Sequence, residues 1–174
     1  RLNKELRVRE MVSIDTSINT VSGTQSYSLP TGYIEATTVI FQSNPFTTLK
    51  FITNSDFYTK YNSSQSSGTP NFFTIVGTKI LLGMQPDSAT TLQIDFYKKL
   101  TALSDSNTTN DILTNYPELY LYAALAESSP FLMQDERLQV WAGLYKDALL
   151  SANEASSRGS TTTSPLQMTT LSVV

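Results

Sequence analysis

The side chains with which this chain could perform chemistry are few, because the sequence contains neither cysteine nor histidine. Thiol nucleophiles, Cys/His zinc sites, Ser-His-Asp triads and imidazole acid–base catalysis are therefore excluded. The remaining candidates are carboxylates, namely Asp95 and Asp105 near a strand end and the adjacent Asp135 and Glu136. Two carboxyl groups held roughly 5 to 10 Å apart in a cleft can hydrolyse a glycosidic bond. Nothing in this spacing fixes such a pair, and adjacent acids at a helix start are more often caps that face the helix dipole.

Metal and phosphate sites are also poorly supported. Gly77 and Gly83 lie in predicted turns and match neither the dinucleotide-binding nor the P-loop pattern. A cluster of oxygen-bearing side chains lacks the regular ligand ladder and the closing glutamate of a calcium loop, and a linker is the favoured interpretation. Its members are Asp105, Asn107, Asn110 and Asp111. We predict no cofactor, no metal site and no catalytic residue.

Charge and polarity favour protein partners over nucleic acid. The formal net charge is -3, and only 16% of the residues are charged. Non-specific nucleic-acid binding relies on clustered Lys and Arg. The local excess of basic residues within 1–9 alternates with Glu5 and Glu10, which is typical of a solvated helix face. No apolar stretch approaches the roughly 20 residues of a membrane span. Because the chain begins with Arg1 in a charged helical pattern, we expect a preceding segment in the gene product.

The spacing of apolar residues changes along the chain, and this change predicts the elements that position these residues. Residues 1–12 show helical spacing and predict the end of an N-terminal helix. Residues 13–103 predict an antiparallel β-domain, with the clearest alternation at 91–98 and a hairpin turn at Gly77. A helical turn is predicted at 56–61. The predicted strands are 21–29, 33–41, 47–52, 72–76, 79–82 and 91–98.

Residues 104–154 predict a polar joint followed by a helical hairpin. The first helix begins at Pro117 with Asn115 as its cap and ends at Ser129-Pro130. Its apolar residues cover most of its circumference, which indicates burial on several sides. The second helix begins near Asp135 and ends at about Ser151. Aromatic side chains at helical spacing on this hairpin are more often packing residues than a stacking surface. They are Tyr116, Tyr120, Tyr122, Trp141 and Tyr145.

Residues 155–174 are rich in serine and threonine and form a predicted extended tail. Such a composition does not bury enough apolar surface to fold alone. Leu166, Met168, Leu171 and Val173 are nevertheless spaced like an added strand. We therefore expect the tail to dock on a neighbouring subunit or a partner. Together these elements give an α+β fold, in which the N-terminal helix and the hairpin form a small helical bundle with an inserted antiparallel β-domain and an extended C-terminal tail.

One stretch resembles a known family. The run LSDSNTTNDILTNYPELYLYAALAESSPFLMQDERLQVWAGLYKDAL resembles the head-to-tail adaptors of tailed bacteriophages, in its polar joint, its Pro-Glu-Leu-Tyr-Leu-Tyr helix, its acidic capping segment and its closing helix. RLNKELRVREM, SYSLPTGYIE and SGTPNFFTIVGTKILL are similar to that family's N-terminal helix and β elements. The resemblance implies a structural protein of the virion neck and not an enzyme, made in the host cytoplasm. It implies a ring, usually of twelve copies, that binds portal and tail or nozzle proteins while DNA passes through without sequence-specific binding.

On this interpretation, the expected interface residues are in the helical seam and the tail. They are Tyr120, Leu121, Trp141, Tyr145, Leu166, Met168 and Leu171. Two alternatives stay open. The first is another virion component, either a tail-completion or nozzle protein or a β module that binds host glycans. A sheet that contacts glycans would expose aromatic residues, with Phe72, Phe73 and Tyr97 as candidates. A hydrolase would instead require Asp95 and Asp135.

Overall fold

The computed structural model describes residues 1–61, 67–132 and 135–160. The chain has an α+β fold and divides into two compact units. The sheet unit is Met11–Lys99, and the helical unit combines Arg1–Glu10 with the residues from Leu100 onward. Within the described residues, no helix is long and apolar enough to cross a membrane.

The described residues of the sheet unit form eight strands and one helix, and the strands make two four-stranded sheets. Sheet A has the order β1-β8-β3-β4 and is antiparallel throughout. Sheet B has the order β2-β7-β6-β5, and its β5–β6 pair is parallel, which corrects the expectation of a wholly antiparallel domain. The elements are β1 (Val12–Asn19), β2 (Ser26–Ser28), β3 (Tyr33–Phe41), β4 (Thr47–Thr48), β5 (Lys50–Phe51), α2 (Asn54–Lys60), β6 (Phe72–Val76), β7 (Lys79–Leu82) and β8 (Thr91–Lys98).

The core of this unit is formed by alternating side chains of both sheets. On β8, Leu92, Ile94 and Phe96 are almost fully buried, as the alternation predicts. Sheet B contributes residues such as Ile80 and Leu82, which are fully buried. Each such side chain stabilises the fold by about 1.5–3 kcal/mol relative to an exposed position.

The turn between β6 and β7 is the predicted two-residue hairpin. Val76 pairs with Lys79, which leaves Gly77 and Thr78 as the turn residues. Gly77 has a φ of 60°. A positive φ at the first central position is what the type II′ turn requires, and glycine adopts it without steric cost.

Two local predictions in this region are wrong. Helix α1 spans only Leu2–Glu5, and a 3-10 turn at Arg9–Met11 leads directly into β1, so the predicted helix to residue 12 is too long. The single strand predicted at 47–52 is divided into β4 and β5, which belong to different sheets. Leu49 lies between them and is buried, and the chain changes sheets at this residue.

In the described part of the helical unit, α1 is followed by three further helices. These are α3 (Asp111–Asn115), α4 (Pro117–Leu132) and α5 (Asp135–Ser160). Asn115 is the last residue of α3 and not the predicted cap of α4. Helix α4 continues through Pro130, contrary to the predicted end at Ser129-Pro130. The φ of proline is itself helical, so a proline two residues before the end removes one hydrogen bond without ending the helix.

Helix α5 also extends beyond its predicted end at Ser151. The N-terminal segment lies along its last turns, where the Arg7 N–H donates to Asn153 Oδ1 at 3.4 Å and the Arg9 N–H donates to Ser156 Oγ at 2.9 Å. Residues 155–160, predicted to begin the extended tail, are therefore helical. The predicted tail residues 161–174 lie outside the described residues.

Candidate assembly surfaces

The carboxylates considered for catalysis belong to different parts of the molecule. Asp95 is half-buried on β8, where its Oδ1 accepts a hydrogen bond of 2.9 Å from Gln93 Nε2. Asp105 is exposed in the joint, and Asp135 is the first residue of α5. Asp95 is in the sheet unit, and the other two are in the helical unit. A search of the described residues finds no group of three or more acidic side chains able to hold a metal.

The polar joint at 104–110 is held by its own hydrogen bonds. The backbones of Ser104 and Asn107 bond to each other at 2.9 and 3.0 Å, and Asn107 Nδ2 donates to the Ala102 carbonyl at 2.8 Å. Asn110 Oδ1 accepts from the Leu113 N–H at 2.9 Å and caps α3, while its Nδ2 donates to the Tyr120 hydroxyl at 2.7 Å. The joint therefore has a structural role, which is to fix α3 and to orient Tyr120 on α4.

Tyr145 lies inside the helical unit, where 2% of it is exposed. The Arg1 guanidinium carbon is 4.5 Å from the centre of its ring, a cation–π arrangement. Arg1 also forms ion pairs with Glu5 at 3.4 Å and with Glu127 of α4 at 3.2 Å. The cluster joins α1 to α4 and α5, and Tyr145 is its buried member.

Burial, with a smaller contribution from the neighbouring Glu5, raises the pKa of the Tyr145 hydroxyl to about 12, while Arg1 opposes the rise. Tyr145 is therefore neutral at physiological pH.

Helix α4 exposes an uncharged strip on its outer side. Its inner side buries Leu119 and Ala126. At about 100° per residue, Leu121 lies roughly 200° from Leu119, and it is 55% exposed. The residues on this side carry no charge, because the two acids of the helix, Glu118 and Glu127, lie on its flanks. We call this surface the α4 strip: Leu121, Ala124, Leu125 and Ser128.

Helix α5 exposes a second surface, which is apolar but interrupted by charge. Val140 is 60% exposed, Leu144 39% and Leu150 51%. A Cβ on Gly143 would meet no atom within 4 Å, so the helix backbone is accessible there. Asp147 is exposed among these residues. We call this surface the α5 strip: Val140, Gly143, Leu144 and Leu150.

The predicted interface residues are therefore distributed between surface and interior. Leu121 lies in the α4 strip, Tyr120 and Trp141 are half-buried, and Tyr145 is internal. Val140 and Leu150 are not among the predicted interface residues, although their place on the side of α5 opposite Tyr145 follows from helical spacing. The remaining predicted residues lie outside the described part of the chain: Leu166, Met168 and Leu171.

The aromatic residues considered for glycan binding do not form one platform. Phe73 is in the core, with 6% exposed, and packs edge-on against Phe51 at 5.6 Å between ring centres. Phe72 is half-buried with the Lys60 ammonium 5.9 Å from its ring centre, and Tyr97 lies in the other sheet. The most exposed aromatic residues of the unit are Phe46, Phe51 and Tyr58.

Comparison with known proteins identifies the family. A sequence profile for the family described as SU10 adaptor protein matches residues 1–169. A search of curated proteins gave no match. The profile match includes both units, and it confirms the resemblance found in the helical hairpin. The chain thus belongs to the SU10 adaptor protein family, a family of bacteriophage head-to-tail adaptors.

Proposed function

We propose that this chain is a subunit of a ring below the portal of the virion, which joins the capsid to the tail and lets the genome pass. The observation that carries the proposal is the α4 strip. A helix with apolar residues around most of its circumference belongs in the interior of an assembly. Among the described residues, α3, α5 and the N-terminal segment leave Leu121 on the outer side of α4 exposed. A neighbouring subunit supplies the missing cover.

Ring closure requires two different faces of each subunit, because a cyclic contact is heterologous. The α4 strip and the α5 strip meet this requirement, since each lies on the outer side of its own helix. Leu121 on one subunit packs against Val140 and Leu144 of the next. The helical unit is then the body of the ring. Twelve copies are the expected number for the family.

The charge pattern suits a channel for DNA. The chain carries a net charge of -3, and its basic residues near the N-terminus are partly paired, as in the Arg1 ion pairs with Glu5 and Glu127. Phosphate binding needs clustered free cations. A surface without such a cluster lets the genome pass without retaining it, and the protein makes no sequence-specific DNA contact.

The partners of the ring are the portal on one side and tail or nozzle proteins on the other. Residues 161–174 are proposed as an assembly element, including the interface residues Leu166, Met168 and Leu171. The tail is uncharged from residue 161 to residue 173 and contains alternating apolar positions. These features favour docking on protein rather than on DNA.

The test is the mass of the purified chain in solution and after mixing with portal, measured by light scattering. The matched truncation removes residues 161–174 and keeps α5 complete, since Ser156 holds the N-terminal segment. We expect a defined ring-sized species in the presence of portal, and less of it for the truncated chain. A protein that stays monomeric and does not bind portal would refute the proposal and favour a different tail component.

A further inference from the structure

The two sheets of the sheet unit are continuous at one pair of edges. There the chain passes from β4 through the buried Leu49 into β5, so that sheet A continues into sheet B. On the other side, the edge strands β1 and β2 line an open groove of about 720 Å³. The groove has Phe96 of β8 in its lining. A further strand at this position would extend the sheet along β1.

The edge of β1 is available for backbone pairing. In the described part of the chain, β1 pairs only with β8, and β2 only with β7. An edge strand exposes a row of N–H and C=O groups that can pair with an incoming extended segment. The lining is mostly uncharged, with Asp15 and Lys98 as its charged members. From β1 and the β2 region it includes Ser13, Ser17, Ile18, Tyr27 and Leu29.

We propose that residues 166–173 of a neighbouring copy pair with β1 as an added strand in this groove. This segment has eight residues, the same number as β1. It contains no proline, so each of its N–H groups can pair, and it carries no charge. Its serine, threonine, leucine and valine residues match the mixed polar and apolar lining of the groove.

The apolar phase of the segment also matches β1. In β1, Asp15 pairs with Ile94 and Ile18 pairs with Leu92, so three residues of β1 oppose two of β8 and the strand has a bulge. Apolar residues in the segment alternate up to Met168 and resume at Leu171, which is also an interval of three. When the segment pairs with β1, the interval of three residues in each strand can fall at the same place. The apolar side chains before and after that interval then face the same side of the sheet.

This inference rests on the proposed ring, since it needs a second copy in contact. Fourteen residues follow Ser160, the last residue of α5, and the first five of them form a spacer that ends at Pro165. Five extended residues span at most about 17 Å, so the exchange requires the groove of the adjoining copy to begin within about that distance of Ser160. An exchanged arm adds pairing between subunits to the helical contacts.

The absence of cysteine in the chain allows a direct cross-linking test. Ser17→Cys is placed in the groove on one full-length chain and Thr169→Cys in the segment of another. The two are mixed with portal under oxidising conditions, sized by light scattering and digested for mass spectrometry. Asp87→Cys, in an exposed loop of the same unit, replaces Ser17→Cys in the control. We expect a disulfide-linked peptide from positions 17 and 169 in the ring-sized fraction, and at least a tenfold lower yield with position 87.

The other outcomes overturn the inference in distinguishable ways. A ring-sized species without the 17–169 link contradicts the strand exchange and leaves the proposed ring intact. A link that forms only within a monomeric Ser17→Cys/Thr169→Cys double variant places the segment in the groove of its own chain. A link to portal instead makes portal its partner. If no ring-sized species forms, the proposed function fails and the exchange between copies fails with it.

Discussion

Replacement of Leu121 by aspartate is the most direct test of the α4 strip. Leu121 is 55% exposed in the subunit. Full burial of a leucine side chain contributes about 1.5–3 kcal/mol, so covering the exposed half contributes roughly 1–1.5 kcal/mol at each subunit contact. Leu121→Ala loses most of this, and a loss of that size weakens each contact roughly five- to tenfold. Leu121→Asp loses all of it and also buries a carboxylate, which costs several kcal/mol more.

The assay is the protein concentration at which half of the chain is in the ring-sized species with portal. We expect Leu121→Ala to raise this concentration roughly five- to tenfold and Leu121→Asp to abolish the species. Because position 121 is exposed in the isolated subunit, both variants should keep their free energy of unfolding within about 0.5 kcal/mol. Circular dichroism during urea unfolding measures this.

The control is Leu103→Asp, immediately before the polar joint. Leu103 is 42% exposed, similar to Leu121, but it lies outside α4. It introduces the same charge without touching the strip. If Leu121→Asp forms rings at the native concentration, or if Leu103→Asp is equally damaging, the assignment of the α4 strip to the ring contact is wrong.

Four further predictions concern single side chains. Asn110→Ala removes the cap of α3 and the bond to Tyr120, and we expect urea unfolding to show a loss of roughly 1–2 kcal/mol; Asn110→Asp keeps the cap and should lose less. Tyr145 has a folded pKa raised from 10.0 to about 12, so the unfolded state releases its proton first and stability falls as the pH rises from 10 towards 12. Tyr145→Phe removes this part of the fall with pH, which urea unfolding at pH 8 and pH 11 measures. Gly77→Ala places a side chain at positive φ and should cost about 1 kcal/mol in urea unfolding. Asp95→Asn and Asp135→Asn, tested singly, should leave particle infectivity unchanged, and loss of infectivity in a correctly assembled particle would support the hydrolase alternative.

The sequence predicted those elements whose pattern is local. The alternation of β8 and the glycine turn between β6 and β7 are each complete within about ten residues. Strand β1 was not predicted, because its polar residues face inward and an apolar residue faces outward. Ser13 and Asp15 pair with the inward-facing Phe96 and Ile94, while Ile14, between them, is 64% exposed. The polar side of β1 thus lines the groove, which no rule of apolar burial predicts.

The ends of the helices depended on distant partners. The last turns of α5 are held by Arg7 and Arg9, which are almost 150 residues away in sequence. From composition alone, the serine-rich residues 155–160 predict an extended tail. The N-terminal segment, whose Leu6 and Val8 are fully buried, supplies hydrogen-bond partners along these turns and favours the helical conformation there.

The sequence predicts that α4 is apolar around most of its circumference, but not which of its residues are exposed. The sequence of α4 shows that apolar side chains surround the helix, which indicates an additional partner. A pattern that is apolar on all sides has no preferred face, so it does not separate the buried Leu119 from the exposed Leu121. On α5 the pattern is amphipathic, but the aromatic residues predicted for the interface, Trp141 and Tyr145, are half-buried and buried. The exposed Val140 and Leu150 became apparent only from the structure.

Each unit exposes a surface suited to a second copy, namely the α4 strip in the helical unit and the edge of β1 in the sheet unit. The two surfaces offer different kinds of interaction. The α4 strip offers apolar area without backbone partners, so its contacts are non-directional and tolerate small changes in subunit orientation. The edge of β1 offers backbone hydrogen bonds, which fix register. A ring that used the strip alone would have no element to set its angle of closure. Adding a strand of defined register to each contact supplies that element, and deletion of residues 161–174 should therefore broaden the distribution of ring sizes before it lowers the yield.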